Sequence, residues 1–128
     1  MSVKLNICMI GCGKTASKHA GALLECGFKI THVFNNGNKK RIEDFAKKFK
    51  IENIILNKKD LFNKKLDVKA YVVVVPPQNL EEYTNNIIKL NKPALIEKPL
   101  STNLNFLKKF RNNQFIMIGF NKRYYQSI

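Results

Sequence analysis

Apolar runs and amphipathic stretches alternate along this chain, and the two kinds of stretch have different periods. Val3–Ile10 is nearly continuous in apolar residues, the pattern of a strand covered on both faces. Thr15–Cys26 then places Ala16, Ala20, Leu23 and Leu24 at helical spacing and runs into Gly27, a natural helix stop. Phe28–Asn35 reads as a second strand. Lys39–Phe49 reads as a helix whose Ile42, Phe45, Ala46 and Phe49 share one face at i, i+3, i+4 and i+7. Asn53–Leu56 predicts a short third strand and Asp60–Asn63 a helical turn. Residues 70–75, "AYVVVV", give the clearest strand signal, β-branched, uncharged and stopped by Pro76 and Pro77. The remaining pattern predicts a helix over Leu80–Leu90, a strand at Ala94–Ile96, a helix over Leu104–Phe110 and a last strand at Phe115–Gly119.

Strands that alternate with helices through short connections make right-handed βαβ units and hence a parallel sheet. The predicted class is therefore α/β, a doubly wound parallel sheet of six strands that opens with a glycine turn. At 128 residues, without internal repeat, linker or low-complexity tract, the chain fits a single domain large enough to bury a core. In such sheets ligands bind beyond the carboxyl ends of the strands, and the candidate residues are sought there.

The formal charge of +14 invites a nucleic-acid reading, but it rests on 20 Lys and only 3 Arg. Arg is the residue that reads phosphates and bases with two parallel hydrogen bonds. The lysines come in scattered pairs such as Lys39-Lys40, Lys47-Lys48 and Lys108-Lys109, amid Asn and Ile, as base-composition bias would place them on solvated faces. The sequence holds no base-stacking motif or recognition helix, so no specific nucleic-acid partner is expected. The excess charge would still draw anionic ligands. Three cysteines, Cys8, Cys12 and Cys26, form no CxxC pair and have no histidine at metal spacing, which predicts no metal site and reduced thiols in a cytoplasmic protein. Leu5–Gly13 lacks the small residues of a signal cleavage site, and no apolar run approaches a membrane span.

Gly11-Cys12-Gly13-Lys14-Thr15-Ala16 fits GxGxxG/A, the dinucleotide-binding pattern, in its confirming context: after a strand and at the start of a helix. The first glycine permits the tight turn, the second lets backbone approach a pyrophosphate, and the small third residue allows close helix–strand packing. The helix then turns its N–H groups and positive dipole end towards the phosphates. Thr15 is a candidate phosphate partner, and Lys14 adds positive field. The alternative is a bare structural turn. A Walker A loop is excluded because Cys8 occupies the place of its first glycine. At the end of the second strand, where an acidic residue normally accepts from the adenosine ribose, stands Asn35 or Asn36 in "VFNNGNKKR". Asparagine does not repel a 2′-phosphate, and Lys39, Lys40 and Arg41 follow, which leans the reading towards NADP or dual use; equally, these residues form a solvated helix start. Pro76 and Pro77 either wall the nicotinamide ribose or stop a strand. Glu97 and Lys98 end a buried strand at the ligand edge, where Lys98 is a candidate for proton transfer and Pro99 keeps it extended; a surface ion pair is the alternative. His19 and His32 read as structural, and no Ser/His/Asp set can be placed.

Together "MIGCGKTASKHA", "VPPQN", "ALIEKPLS" and "IGFNKRYY" resemble the Gfo/Idh/MocA family, the glucose–fructose oxidoreductase and inositol dehydrogenase type, in order and spacing over essentially the whole chain. The resemblance implies a Rossmann fold over residues 1–120 that binds NAD or NADP. It implies that Gly11, Cys12, Gly13, Thr15 and Ala16 cradle the pyrophosphate and that Asn36 takes the acidic ribose-contact position. It further implies that Pro76, Pro77 and Asn79 line the nicotinamide side, that Glu97 contacts the cofactor ribose, that Lys98 is the catalytic lysine, and that Pro99 follows a cis bond. Three departures stand out. Asparagine replaces the acid at position 36, Leu80 or Glu81 stands near a histidine usual after the proline turn, and the chain stops at Ile128. Residues 121–128, with Arg123, would only begin a second domain that carries most of the substrate pocket, a catalytic histidine and the surface for oligomerisation. The expectation is therefore of the cofactor-binding part of an enzyme acting on a sugar, polyol or nucleotide-sugar, inactive alone. The rival readings are a non-catalytic dinucleotide-binding module and a basic nucleic-acid binder.

Overall fold

A computed structural model describes residues 6–97 and 116–119. Its strands are β1 (Asn6–Ile10), β2 (Lys29–Phe34), β3 (Asn53–Ile55), β4 (Ala70–Val73), β5 (Ala94–Glu97) and β6 (Ile116–Gly119). Between them run α1 (Lys14–Glu25), α2 (Lys39–Phe49), the single turn α3 (Lys58–Leu61) and α4 (Pro77–Leu90). All strand pairs are parallel, in the order β3-β2-β1-β4-β5-β6. The chain builds outward from β1 on one side, then crosses back to start β4 on the other. This is the doubly wound order, with its switch point between β1 and β4.

The continuous apolar run of β1 is explained by two separate cores. Ile7 and Met9 pack with Ala16 and Ala20 of α1, Ile42, Phe45 and Ala46 of α2, and Val33. Cys8 and Ile10, on the opposite face, pack with Tyr71, Val73 and Ile96 and with Leu80, Tyr83 and Ile87 of α4. Successive strand residues point to opposite faces, and here both faces are buried. The polar atoms inside are paired: the Tyr71 hydroxyl donates to the Leu61 carbonyl at 2.9 Å and the Thr84 hydroxyl to the Leu80 carbonyl at 2.6 Å. Burial drives the Tyr71 hydroxyl and the Cys8 thiol well above their usual pKa ranges, so both stay neutral.

Several boundaries differ from the sequence pattern. The "VVVV" run stays in the sheet only to Val73, and α4 begins at Pro77 rather than Leu80. Proline suits the first turn of a helix because its fixed φ is helical and its missing N–H would have no partner there. The two prolines thus end one element and start the next. The helical turn lies at Lys58–Leu61, ahead of Asp60–Asn63, because the Asn57 side chain caps it by accepting from the Asp60 N–H at 3.0 Å. Leu24 and Leu56, read as helix-face and strand residues, are 41% and 77% exposed. Leu24 falls at the margin of the α1 stripe, and β3 ends one residue before Leu56. Residues 3–5 of the first predicted strand and the predicted helix Leu104–Phe110 lie outside the described residues.

Helix α2 ends on Lys50, which adopts left-handed backbone with φ 56°. A side chain pays about 1 kcal/mol for that conformation and glycine does not. Lys50→Gly should therefore stabilise the fold by about 1 kcal/mol, seen as a higher urea midpoint at unchanged slope; a lower midpoint would contradict the assigned cap.

Candidate functional site

The two central strands, β1 and β4, end side by side, and the turns that leave them face each other. After Ile10 the chain enters Gly11 at φ 109°, and a Cβ there would lie 1.9 Å from the Val74 carbonyl oxygen. Only glycine fits, on both counts. The Gly11 N–H donates to the Phe34 carbonyl at 2.8 Å, and the Val74 N–H donates to the Ile10 carbonyl at 2.8 Å. The turn is thereby held to the ends of β2 and β4 together.

Gly13 is a different case. Its φ of −84° is open to any residue, and a Cβ at this position would meet nothing within 4 Å. Neither backbone conformation nor packing calls for glycine here. What a side chain would fill is the space in front of α1, whose N-terminus carries no side-chain cap and no acidic residue in its first turn. The first N–H groups of a helix lack partners inside it, and they carry its positive dipole end. Ala16, fully buried, lets α1 lie close against the sheet.

That space is a cleft of about 370 Å³. Residues 12–16 form one wall, Val74, Val75 and Pro76 the opposite one, and Asn35 and Arg41 close an end. Lys14 and Thr15 are exposed at the helix start, whereas Cys12 is buried in the layer beneath it. Burial raises the Cys12 thiol pKa and the nearby Arg41 guanidinium partly opposes it, which leaves a neutral, unreactive thiol. A glycine turn, a free helix N-terminus and an apolar opposite wall together suit an extended anionic ligand laid across the strand ends. The residues present fit a dinucleotide.

The structure brings most of the candidate residues together: Cys12, Gly13, Lys14, Thr15, Ala16, Asn35 and Pro76 border the cleft, and Gly11 is buried behind it. Of the two asparagines, Asn35 is half-buried in the lining and Asn36 is exposed outside it. Pro77 and Asn79 belong to the first turn of α4, and Glu97 ends β5. Lys98, Pro99 and Arg123 lie outside the described residues. His32 sits within β2, its ring nitrogen 2.8 Å from the Thr31 hydroxyl and its pKa lowered by burial, and His19 is half-buried on α1. Val74 and Val75 were hidden as lining residues by their strand-like composition. The signal that frees them is Pro76, which requires extended backbone before it and offers no ladder donor.

The family model described as the GFO_IDH_MocA oxidoreductase family, NAD-binding Rossmann fold, matches residues 5–112. No curated protein matches the chain in sequence. Among solved structures, the fold is similar to that of myo-inositol 2-dehydrogenase from Lactobacillus plantarum (TM-score 0.82, 23% identity, 95% of this chain and 38% of that one). It is also similar to scyllo-inositol dehydrogenase from Lactobacillus casei with bound NAD(H) and scyllo-inositol (TM-score 0.79, 16% identity, 95% and 38%). A third is UDP-N-acetylglucosamine 3-dehydrogenase from Acidithiobacillus ferrooxidans (TM-score 0.75, 18% identity, 92% and 37%). The chain thus spans less than two-fifths of the length of each of these proteins.

The two glycines should separate in mutation. Gly11→Ala should cost about 3 kcal/mol or more, from strain and overlap together. Gly13→Ala should change stability by less than about 1 kcal/mol yet weaken dinucleotide binding, as read by urea unfolding and calorimetric titration. Unchanged affinity in Gly13→Ala would remove the cradle.

Proposed function

Since the chain belongs to the Gfo/Idh/MocA oxidoreductase family and carries its NAD-binding Rossmann fold, we propose that it is the cofactor-holding part of an enzyme that oxidises or reduces a sugar, polyol or nucleotide-sugar. The observation that carries this reading is Gly13, a glycine that the protein's own packing does not require, set before an uncapped helix at the switch point of the sheet. The substrate class is supported by the inositol and nucleotide-sugar dehydrogenases that share the fold.

When bound, a nicotinamide dinucleotide supplies a ring carbon that accepts or gives a hydride. This chain's residues do the holding. The backbone N–H groups at the start of α1 take the pyrophosphate, with the Thr15 hydroxyl beside them and Lys14 contributing field. Asn35 offers its carboxamide to the adenosine ribose, where a carboxylate would repel a further phosphate. Val74, Val75 and Pro76 present an apolar wall on the side away from the helix, keeping water from one face of the ligand. Glu97, at the carboxyl end of β5, is assigned to the nicotinamide ribose. By the family resemblance Lys98 holds the reacting hydroxyl and moves its proton, a task that desolvation would suit by lowering its pKa. Residues 1–120 form the cofactor domain in this proposal, and 121–128 lead towards a second domain that presents the substrate.

Thermal unfolding with NAD⁺, NADH, NADP⁺ and NADPH in turn tests the reading. Ligand at about a hundred times its dissociation constant should add roughly 2.7 kcal/mol, several degrees in midpoint. Cooperative unfolding that none of the four shifts would sink the assignment. In any form of the protein that turns over, Lys98→Ala should lower kcat far more than cofactor affinity. Full turnover in that variant would return Lys98 to the surface.

A further inference from the structure

A second cleft, of about 350 Å³, adjoins the first, and Cys12 and Arg41 line both. Its outer wall is the opening of α2, where Lys40, Asp44 and Lys48 follow at helical spacing on the flank of Arg41. Three cations thus face one carboxylate, and Asp44 stands a turn further along the helix than Lys40 and Arg41. The first turn of α2 holds no acidic residue. Arg41 is exposed, and it is not ion-paired with any carboxylate among the described residues. Its backbone is fixed nonetheless: the Asn38 side chain accepts from the Lys40 N–H at 2.9 Å and the Arg41 N–H at 3.2 Å. The guanidinium therefore leaves from an ordered turn and reaches the boundary between the clefts. Lys39, two residues before Arg41, lines neither.

The end of β2 adds an independent observation. Asn35 borders the first cleft where an adenosine ribose would lie, and neither it nor Asn36 is charged. A carboxylate at this place would bind both ribose hydroxyls and repel a phosphate on either. With an amide there, and beside it a cleft in which Lys40, Arg41 and Lys48 outnumber Asp44, an extra phosphate on that ribose meets net attraction. We propose that the second cleft receives the phosphate of a 2′-phosphorylated adenosine, so that the chain selects NADP(H) over NAD(H), with Arg41 as the specificity-determining residue and Lys40 as its supporting charge. The inference rests on the dinucleotide reading above. Arg41 suits the task because its planar fork matches two phosphate oxygens at once, whereas Lys40 and Lys48 act as point charges.

Calorimetric titration of the whole chain with 5′-ADP, 2′,5′-ADP, NAD⁺ and NADP⁺ tests this without any turnover. The 2′-phosphorylated member of each pair should bind roughly tenfold tighter or better, as a charge-assisted hydrogen bond predicts. Arg41→Ala should collapse that ratio towards unity, Arg41→Lys should keep part of it, and added salt should shrink it. Equal binding of NAD⁺ and NADP⁺ by the wild-type chain would overturn the phosphate assignment and leave the dinucleotide reading standing. So would a ratio that survives Arg41→Ala. Binding of none of the four, by a chain that unfolds cooperatively, would overturn both.

Discussion

Between β1 and β4 the backbone at Gly11 runs against the Val74 carbonyl, so close that one added carbon would overlap it. That approach brings the ends of the two central strands together, and it sets where α1 begins. From it follow the position of the first N–H groups of the helix, the width of the cleft before them, and the exit of β4 into Val75 and Pro76 on the far wall. The proposed cofactor site is therefore assembled by backbone. Side chains at its centre are small or absent, and those at its edges, Asn35, Arg41 and Thr15, are the ones to which the proposal gives the choice and holding of the dinucleotide.

The sheet, its helices and the glycine turn before α1 were legible because they rest on local rules: period, β-branching, and glycine before a helix. "AYVVVV" announced a central strand, and "GCGKTA" announced the turn. What the pattern misplaced were boundaries set by single residues in three dimensions. Pro77 starts a helix that composition alone puts at Leu80, and Asn57 pulls the turn before Leu61 forward by capping it. Leu24 and Leu56 show the limit of apolar pattern: one stands a turn beyond buried Ala20 and the other directly follows buried Ile55, and both are exposed. The sequence offered Asn35 or Asn36 for the ribose contact and the resemblance favoured Asn36; Asn35 lines the cleft and Asn36 lies outside it. A difference of one residue after a strand depends on how the chain turns, which no local preference encodes.

Charge is arranged in the same layered way. Among the described residues most lysines are exposed, and their abundance carries no function by itself. At the opening of α2, however, an asparagine cap orders the backbone, and one of the rare arginines reaches the mouth of the cleft. In the proposal, the generic positive background draws anions in and the Arg41 guanidinium gives the site a direction in which to read them.

One further consequence follows from β1 serving two cores. In a sheet with one wet face, sliding a strand by one residue exposes its apolar side, and the error is expelled. Here Ile7 and Met9 face one core and Cys8 and Ile10 the other, so a slipped β1 would stay dry on both sides. Hydrophobicity cannot tell the true alignment from the false one. The contact at Gly11 can, because in a slipped strand a residue with a side chain would be driven into the Val74 carbonyl. The turn that shapes the cleft is thus also the proofreader of strand alignment, and the width of the cleft and the correct pairing of β1 depend on the same glycine.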